Sequence, residues 1–298
     1  MTTVVPEAGG VPGIDVAPPA GLLRTLSRHW GFRVGALLAV MLAALAVIGP
    51  LLAHGPNVTD YANQLASPGT RHWLGTDSAG RDEFARTVMG ARTTLGAAVL
   101  VFALTTVIGI TVGTAAGFLG GIFDACVSRL IDLLLGLPSL VLALAVVGVL
   151  GPGFSHLILA MTITGWAGLA KVSRSYTIGA RQRPDVTAAR MAGIRTARIF
   201  AGHVLPGAAV LALIAATLGL GDTILGLAGL SFLGLGVKPP TPSWGQMLSG
   251  ATTWFQVDPT YVLIPALTLL LCVFAFTALG ESLRVALDPK ATGRAAGR

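Results

Sequence analysis

Charge is scarce in this sequence. Of its 298 residues only 11% are Asp, Glu, Lys or Arg, where a soluble domain carries about 25%. That shortage, with 53% hydrophobic residues and a mean hydropathy of +0.77, excludes an ordinary soluble fold. Cysteine is nearly absent. Cys126 and Cys272 lie in or beside apolar runs, which argues against a disulfide framework, and no metal-ligand spacing appears. Only three lysines occur and none follows a glycine, so a Gly-Lys-Ser/Thr phosphate loop is excluded. Cys-x-x-Cys, His-Glu-x-x-His and Gly-x-Ser-x-Gly are missing too. The histidines, His29, His54, His72, His156 and His203, are scattered. We therefore expect no catalytic residue, no metal site and no cofactor on this chain. The net charge of +7 is spread over loops between apolar runs, a pattern of membrane orientation and not of nucleic-acid binding.

What is present is a series of long apolar runs. Residues 1–20 are rich in Pro and Gly and read as a disordered tail without a signal-peptide core. Arg24, Arg28 and Arg33 then precede Val34–Ala53, which is 20 residues without a charge. At 1.5 Å per residue such a run crosses about 30 Å of hydrocarbon. Further spans are expected over Thr93–Phe123, Asp124–Leu150, His156–Tyr176, Gly207–Gly236 and Pro259–Gly280. Gly109, Gly113, Gly117 and Gly121 share one helix face, which suits close contact with a neighbouring helix. Asp124, Ser128 and Asp132 also share a face, with Arg129 beside them, and read as a structural charge cluster. Pro138 is expected to kink its helix. Trp73, Trp244 and Trp254 could form an outer aromatic belt.

Six spans put both termini on one side. If the chain starts inside, 15 of the 20 basic residues fall in inner segments. That bias predicts cytoplasmic termini and a cytoplasmic segment at 181–206.

This segment, RQRPDVTAARMAGIRTARIFAGHVLP, is a basic island between apolar runs. It reads as short helix, glycine, short helix and a Leu-Pro stop. Ala188, Ala189 and Ala192 are expected to make a smooth helical surface. Gly193 either turns the backbone or lets another chain approach closely, and Pro206 ends the helix. Such a loop either docks a partner or lies against anionic lipid headgroups.

At these residues the chain resembles the permease subunits of binding-protein-dependent ABC importers. The family pattern Glu-Ala-Ala, three residues, Gly, and a distal Leu-Pro falls on Thr187, Ala188, Ala189, Gly193, Leu205 and Pro206, with Thr187 replacing the Glu. Three other stretches are similar to the peptide/nickel-type branch. They are His72-Trp73-Leu74-Gly75-Thr76-Asp77 with Gly80-Arg81-Asp82 and Gly90-Ala91-Arg92; Ser231–Gly236 with Pro239-Pro240-Thr241-Pro242-Ser243-Trp244-Gly245; and Leu287-Asp288-Pro289. Together they resemble the C-type permease subunit of dipeptide and oligopeptide importers.

That resemblance implies an all-α membrane protein with the type I ABC importer permease fold. It implies a cytoplasmic tail at 1–33, a first transmembrane helix at 34–53, an extracytoplasmic loop at 54–92, a five-helix permease core at 93–287 and a cytoplasmic tail at 288–298. Expected partners are a paralogous B-type permease, two ATPase subunits holding ATP and Mg²⁺, an extracytoplasmic substrate-binding protein and the lipid bilayer. The implied ATPase-coupling residues are Asp185, Thr187, Ala188, Ala189, Arg190, Gly193, His203, Leu205 and Pro206. The implied outer mouth, facing the binding protein, comprises Leu74, Gly75, Thr76, Asp77, Gly80, Arg81, Asp82, Pro240, Pro242 and Trp244. In this branch an acidic residue commonly precedes Ser231-Phe232-Leu233-Gly234-Leu235-Gly236, at the position held here by Leu227. The only acid of that span is Asp222, roughly 22 Å along the helix from Gly207 by its rise. Asp222 either lines the passage or makes an interhelical bond. A secondary transporter would need inverted repeats or paired broken helices, and none is evident.

Overall fold

The computed structural model describes Leu26 and residues 29–53 and 55–287. Most of the expected tails, 1–33 and 288–298, lies outside the described residues, as do Asp288 and Pro289. Within the described residues the protein is helical, with no strand beyond an isolated bridge between Thr76 and Asp82. The helices are α1 (Trp30–Leu52), α2 (Glu83–Leu119), α3 (Gly121–Leu135), α4 (Ser139–Leu150), α5 (Phe154–Ala180), α6 (Pro184–Met191), α7 (Thr196–Ile199), α8 (Leu205–Leu218), α9 (Leu220–Phe232), α10 (Trp244–Thr252) and α11 (Pro259–Leu287). A π turn, Phe200–Val204, joins α7 to α8.

Four helical runs are long and apolar enough to cross a membrane: α1, α2, Thr196–Leu218 and α11. The pair α3–α4 makes a fifth if counted as one span. The 27 residues of α5 cover about 40 Å, but Lys171 and Arg174 interrupt its apolar run.

The structure redraws several expected boundaries. Helix α2 begins at Glu83, capped by the Asp82 carboxylate, so the loop expected at 54–92 ends at Asp82. The chain between Asp124 and Leu150 is not a kinked rod: α3 and α4 meet at 94°. Gly136 ends α3 and Pro138 is the N-cap of α4, so both residues that break helices act here. The span expected over Gly207–Gly236 divides at Gly219 into α8 and α9. A new helix starts at Leu205-Pro206, as expected, but it follows the π turn directly, without an intervening loop. Pro206 sits in the first turn of α8, where its missing N–H costs nothing.

The architecture is built on the pairing of α2 with α5. Added methyl groups at Gly109, Gly113 and Gly117 would lie 2.6 Å from the Leu169 Cβ, 2.3 Å from the Ala170 carbonyl oxygen and 2.7 Å from the Arg174 carbonyl oxygen. Three of the four repeated glycines thus let the two backbones touch. The fourth, Gly121, faces open space and instead starts α3 at a positive φ of 62°. The main apolar cluster forms around this pair. It includes Ala98 and Val101 of α2, Leu157 of α5, Ile224 and Leu227 of α9 and Trp244 of α10.

The charge cluster pairs across helices. Arg174 on α5 grips Asp124 on α3 with two hydrogen bonds, at 2.5 and 2.8 Å. Lys171 approaches Asp132 at 3.6 Å. Both acids therefore tie the start of the α3–α4 elbow to α5, and Asp132 is held by Lys171 in place of the expected Arg129.

Gly113→Ala is expected to force α2 and α5 apart and cost about 1–3 kcal/mol, as overpacking does. Gly96→Ala on the same helix has free space around it and is expected to be neutral or slightly stabilising. Thermal unfolding of the two detergent-purified variants checks this contrast.

Candidate functional site

Two candidate surfaces occupy opposite ends of α2, and a cavity touches the helix between them. At the Leu119 end, the 181–206 segment folds onto a small apolar cluster. Val186, Ala189, Ile199 and Val204 pack with Phe118 of α2 and Ala180 of α5, and Tyr176, Ile194 and Phe200 close the edges. Phe118 and Phe200 meet edge to face at 5.1 Å. The Arg181 guanidinium donates to the Gly117 carbonyl at 3.1 Å, fixing the segment to the helix pair.

This packing leaves a protruding tip. Thr187, Ala188, Arg190, Ala192 and Gly193 are exposed, and Met191 is 80% exposed. Ala189 points inward and so does not belong to the outer surface that the sequence suggested. The tip ends in a Schellman motif. The Ile194 N–H donates to the Ala189 carbonyl and the Gly193 N–H to the Arg190 carbonyl, with Gly193 at φ 75°. The Gly193 turn is thereby explained without a partner. Thr187 donates its hydroxyl to the Arg183 carbonyl at 3.1 Å, an internal use of the side chain that stands where the family has Glu. Asp185 is paired with Arg183 at 3.1 and 3.2 Å. Partial burial opposes the Arg183 charge, but Asp185 and the Tyr176 hydroxyl outweigh it and hold the guanidinium above its ordinary value. His203 and Pro206 are exposed and Leu205 is half-buried.

At the Glu83 end, residues 55–82 form a compact lid organised by Asp77. This carboxylate is fully buried. It accepts from the Ala79 and Arg81 backbone N–H groups at 2.8 and 2.9 Å and from the Arg81 Nε at 2.7 Å. Arg86, 3% exposed, approaches it at 3.3 Å and also reaches the carbonyls of Pro56 and Pro240. Thr76 donates to the Asn63 carbonyl and accepts from the Ala66 N–H. His72 bonds Asp82 at 2.7 Å.

The stretch 239–245 locks onto this lid. Trp244 is fully buried, donates its indole N–H to the Thr87 carbonyl at 2.9 Å, and fills the space beside Gly90. It is therefore a core anchor and not part of an aromatic belt; Trp73 is 68% exposed. Gly75, Thr76, Asp77, Gly80, Pro242 and Trp244 are all buried, so they build the lid and cannot meet a partner in this conformation. Pro240 is exposed, while Leu74, Arg81 and Asp82 are partly so.

Sequence reasoning missed Glu83. It is 1% exposed and neither carboxylate oxygen has a hydrogen-bond partner. Only its place directly after Gly80-Arg81-Asp82 hinted at it.

Asp222 lies in the first turn of α9, after the break at Gly219, and is exposed. The break means that this carboxylate is not carried in mid-helix. The positive end of the helix dipole favours a carboxylate in this first turn. It borders a cavity of about 220 Å³ with Thr105, Thr164 and Thr223. Leu227, where the family commonly has an acid, is 2% exposed in the apolar core. No group of three or more His, Cys, Asp or Glu among the described residues could hold a metal ion.

Residues 109–293 match the family model described as binding-protein-dependent transport system inner membrane component. The chain is 37% identical over 265 residues to the nickel transport system permease protein NikC of Escherichia coli K12, covering 89% of this chain and 96% of the relative. It is 35% identical over 292 residues to the dipeptide transport system permease protein DppC of Alkalihalophilus pseudofirmus, covering 96% of each. It is 38% identical over 272 residues to the glutathione transport system permease protein GsiD of Escherichia coli O6:K15:H31, covering 91% of this chain and 90% of the relative.

Asp77→Ala leaves Arg86 buried beside an empty position and is expected to cost about 3–5 kcal/mol, as breaking a buried ion pair does. The readout is a lowered thermal midpoint together with faster proteolysis within residues 55–82.

Proposed function

The chain belongs to the family of inner membrane components of binding-protein-dependent transport systems, and on that premise we propose that it is the C-type permease half of an ATP-driven dipeptide or oligopeptide importer. It is a multi-pass bacterial inner-membrane protein, an ABC importer permease of the peptide, nickel or glutathione type, and not an enzyme. The peptide reading is supported by similarity to a dipeptide permease along 96% of both chains. The observation that carries the coupling role is the exposed tip at Thr187–Gly193, whose base packs on the ends of α2 and α5. The proposed topology has six spans with both termini cytoplasmic, supported by the 15 of 20 basic residues on inner segments.

In this reading the cytoplasmic tip seats in an ATPase subunit, and a paralogous B-type permease completes the pathway. Two ATPase chains bind ATP and Mg²⁺, and a substrate-binding protein delivers solute from outside to exposed residues such as Pro240. ATP acts only through its different affinity for the inward- and outward-facing states. With Asp185 held by Arg183, the tip offers Ala188, Arg190 and Met191 to its partner.

Two experiments test the reading. Met191→Glu keeps the Schellman turn and adds a charge at the docking face. It is expected to abolish ATPase co-purification and solute-stimulated ATP hydrolysis while membrane insertion persists, and Gly193→Trp should act alike. Retention of both ATPase readouts would remove the coupling assignment. In a chain carrying Cys126→Ser and Cys272→Ala, Ala192→Cys should be labelled by an impermeant maleimide only from the cytoplasm and Thr241→Cys only from outside. The reverse pattern overturns the orientation.

A further inference from the structure

The polar side chains lining the cavity beside Asp222 are four hydroxyls and one carboxylate, set among apolar residues. Thr105 donates its hydroxyl to the Val101 carbonyl at 2.8 Å, Thr164 to the Ala160 carbonyl at 3.2 Å, and Thr223 to the Gly219 carbonyl at 3.0 Å. A hydroxyl whose proton is given to its own helix shows only lone pairs to the space beside it. Asp222 adds an acceptor-only carboxylate that makes no hydrogen bond or ion pair with any described residue. No Lys, Arg or His is among the described residues lining the cavity. The walls otherwise consist of the Ser139 hydroxyl, apolar side chains and two glycines, Gly165 and Gly219.

Such a surface selects by charge. It offers an N–H donor bearing positive charge several partners at once, and it offers a carboxylate only the Ser139 hydroxyl. A bare divalent metal would find one carboxylate, fewer ligands than such ions take. At about 220 Å³ the space is smaller than the 300–1,000 Å³ typical of whole-ligand sites, so it fits one end of a longer solute.

From this geometry we infer that Asp222 and the three threonine hydroxyls form a waypoint for a primary ammonium group, the amino terminus or a lysine side chain of a peptide in transit. The inference rests on the importer reading above and adds to it a selectivity for cationic groups in the permease itself.

The first measurement needs no solute. Ser139 borders the same cavity. In a chain carrying Ser139→Cys with Cys126→Ser and Cys272→Ala, the modification rates of a cationic and an anionic methanethiosulfonate reagent are compared. Asp222→Asn is expected to lower the cation-to-anion rate ratio about tenfold, and Asp222→Glu to preserve it. An unchanged ratio in the Asn variant overturns the inference.

The second measurement uses the full assembly in proteoliposomes, with Lys-Ala-Ala and Glu-Ala-Ala as probes. Asp222→Asn is expected to lower the Lys-to-Glu uptake ratio about tenfold while ATPase co-purification stays intact. A constant ratio refutes the waypoint and leaves the importer reading standing. Loss of the second permease on purifying Asp222→Asn also refutes it, because Asp222 would then be an interface ion pair. If the wild-type assembly imports neither peptide, the peptide reading fails, and the reagent ratio alone decides whether the cavity prefers cations.

Discussion

The contact on which the rest of this molecule depends is backbone against backbone. At Gly109, Gly113 and Gly117, α2 presents no side chain to α5, so the main chains of the two helices come into direct contact there. In a bilayer there is little hydrophobic gain from joining two apolar helices. Close van der Waals fit and interhelical polar contacts must supply the association. Both are here: the glycine face provides the fit, and beyond it Arg174 binds Asp124 with two hydrogen bonds. The elbow of α3 and α4 is fixed to α5 by that pair and by the looser Lys171–Asp132 contact.

Because α2 is one helix of 37 residues, about 55 Å long by its rise, it carries this contact to both surfaces. Its first turns hold Asp82, Glu83, Arg86 and Thr87, which anchor the lid and Trp244. Its last turn presents Phe118 to the segment that carries the exposed tip. The segment bearing the tip thus rests on the α2–α5 pair, and the same helix α2 holds the lid at its other end. The Asp222 cavity touches both helices of the pair, at Val101 and Thr105 of α2 and at Met161 and Thr164 of α5.

Much of this was legible in the sequence, for identifiable reasons. Uncharged runs revealed α1, α2 and α11 because burying charge in lipid is expensive. A four-residue glycine spacing revealed the contact face of α2, since helix geometry alone sets which positions align. What escaped were the places where local signals compete. Pro138 was readable as a kink, yet the neighbouring Gly136 turns the chain fully and yields a 94° elbow. Pro206 was readable as a stop, but a proline in the first turn of α8 is compatible with continued helix. Tryptophans at span ends suggested an interface belt, whereas Trp244 sits opposite Gly90, a pairing 154 residues apart that no periodicity encodes.

The polar residues of the loops at the Glu83 end of α2 illustrate the same limit in another form. Gly75, Thr76, Asp77 and Gly80 carry the resemblance in sequence, which invites a reading of them as contact residues. Their burial gives a different account. A loop that must keep its shape without a core of its own has unpaired backbone N–H groups to satisfy. Asp77 does this for Ala79 and Arg81 while neutralising Arg81 and Arg86. Such a hub leaves little freedom in the residues around it, because a buried carboxylate is tolerable only with its partners in place. The motif is then the signature of a rigid lid. The buried members of these stretches are committed to the lid, so contact with anything that docks there falls to their exposed members, such as Trp73 and Pro240.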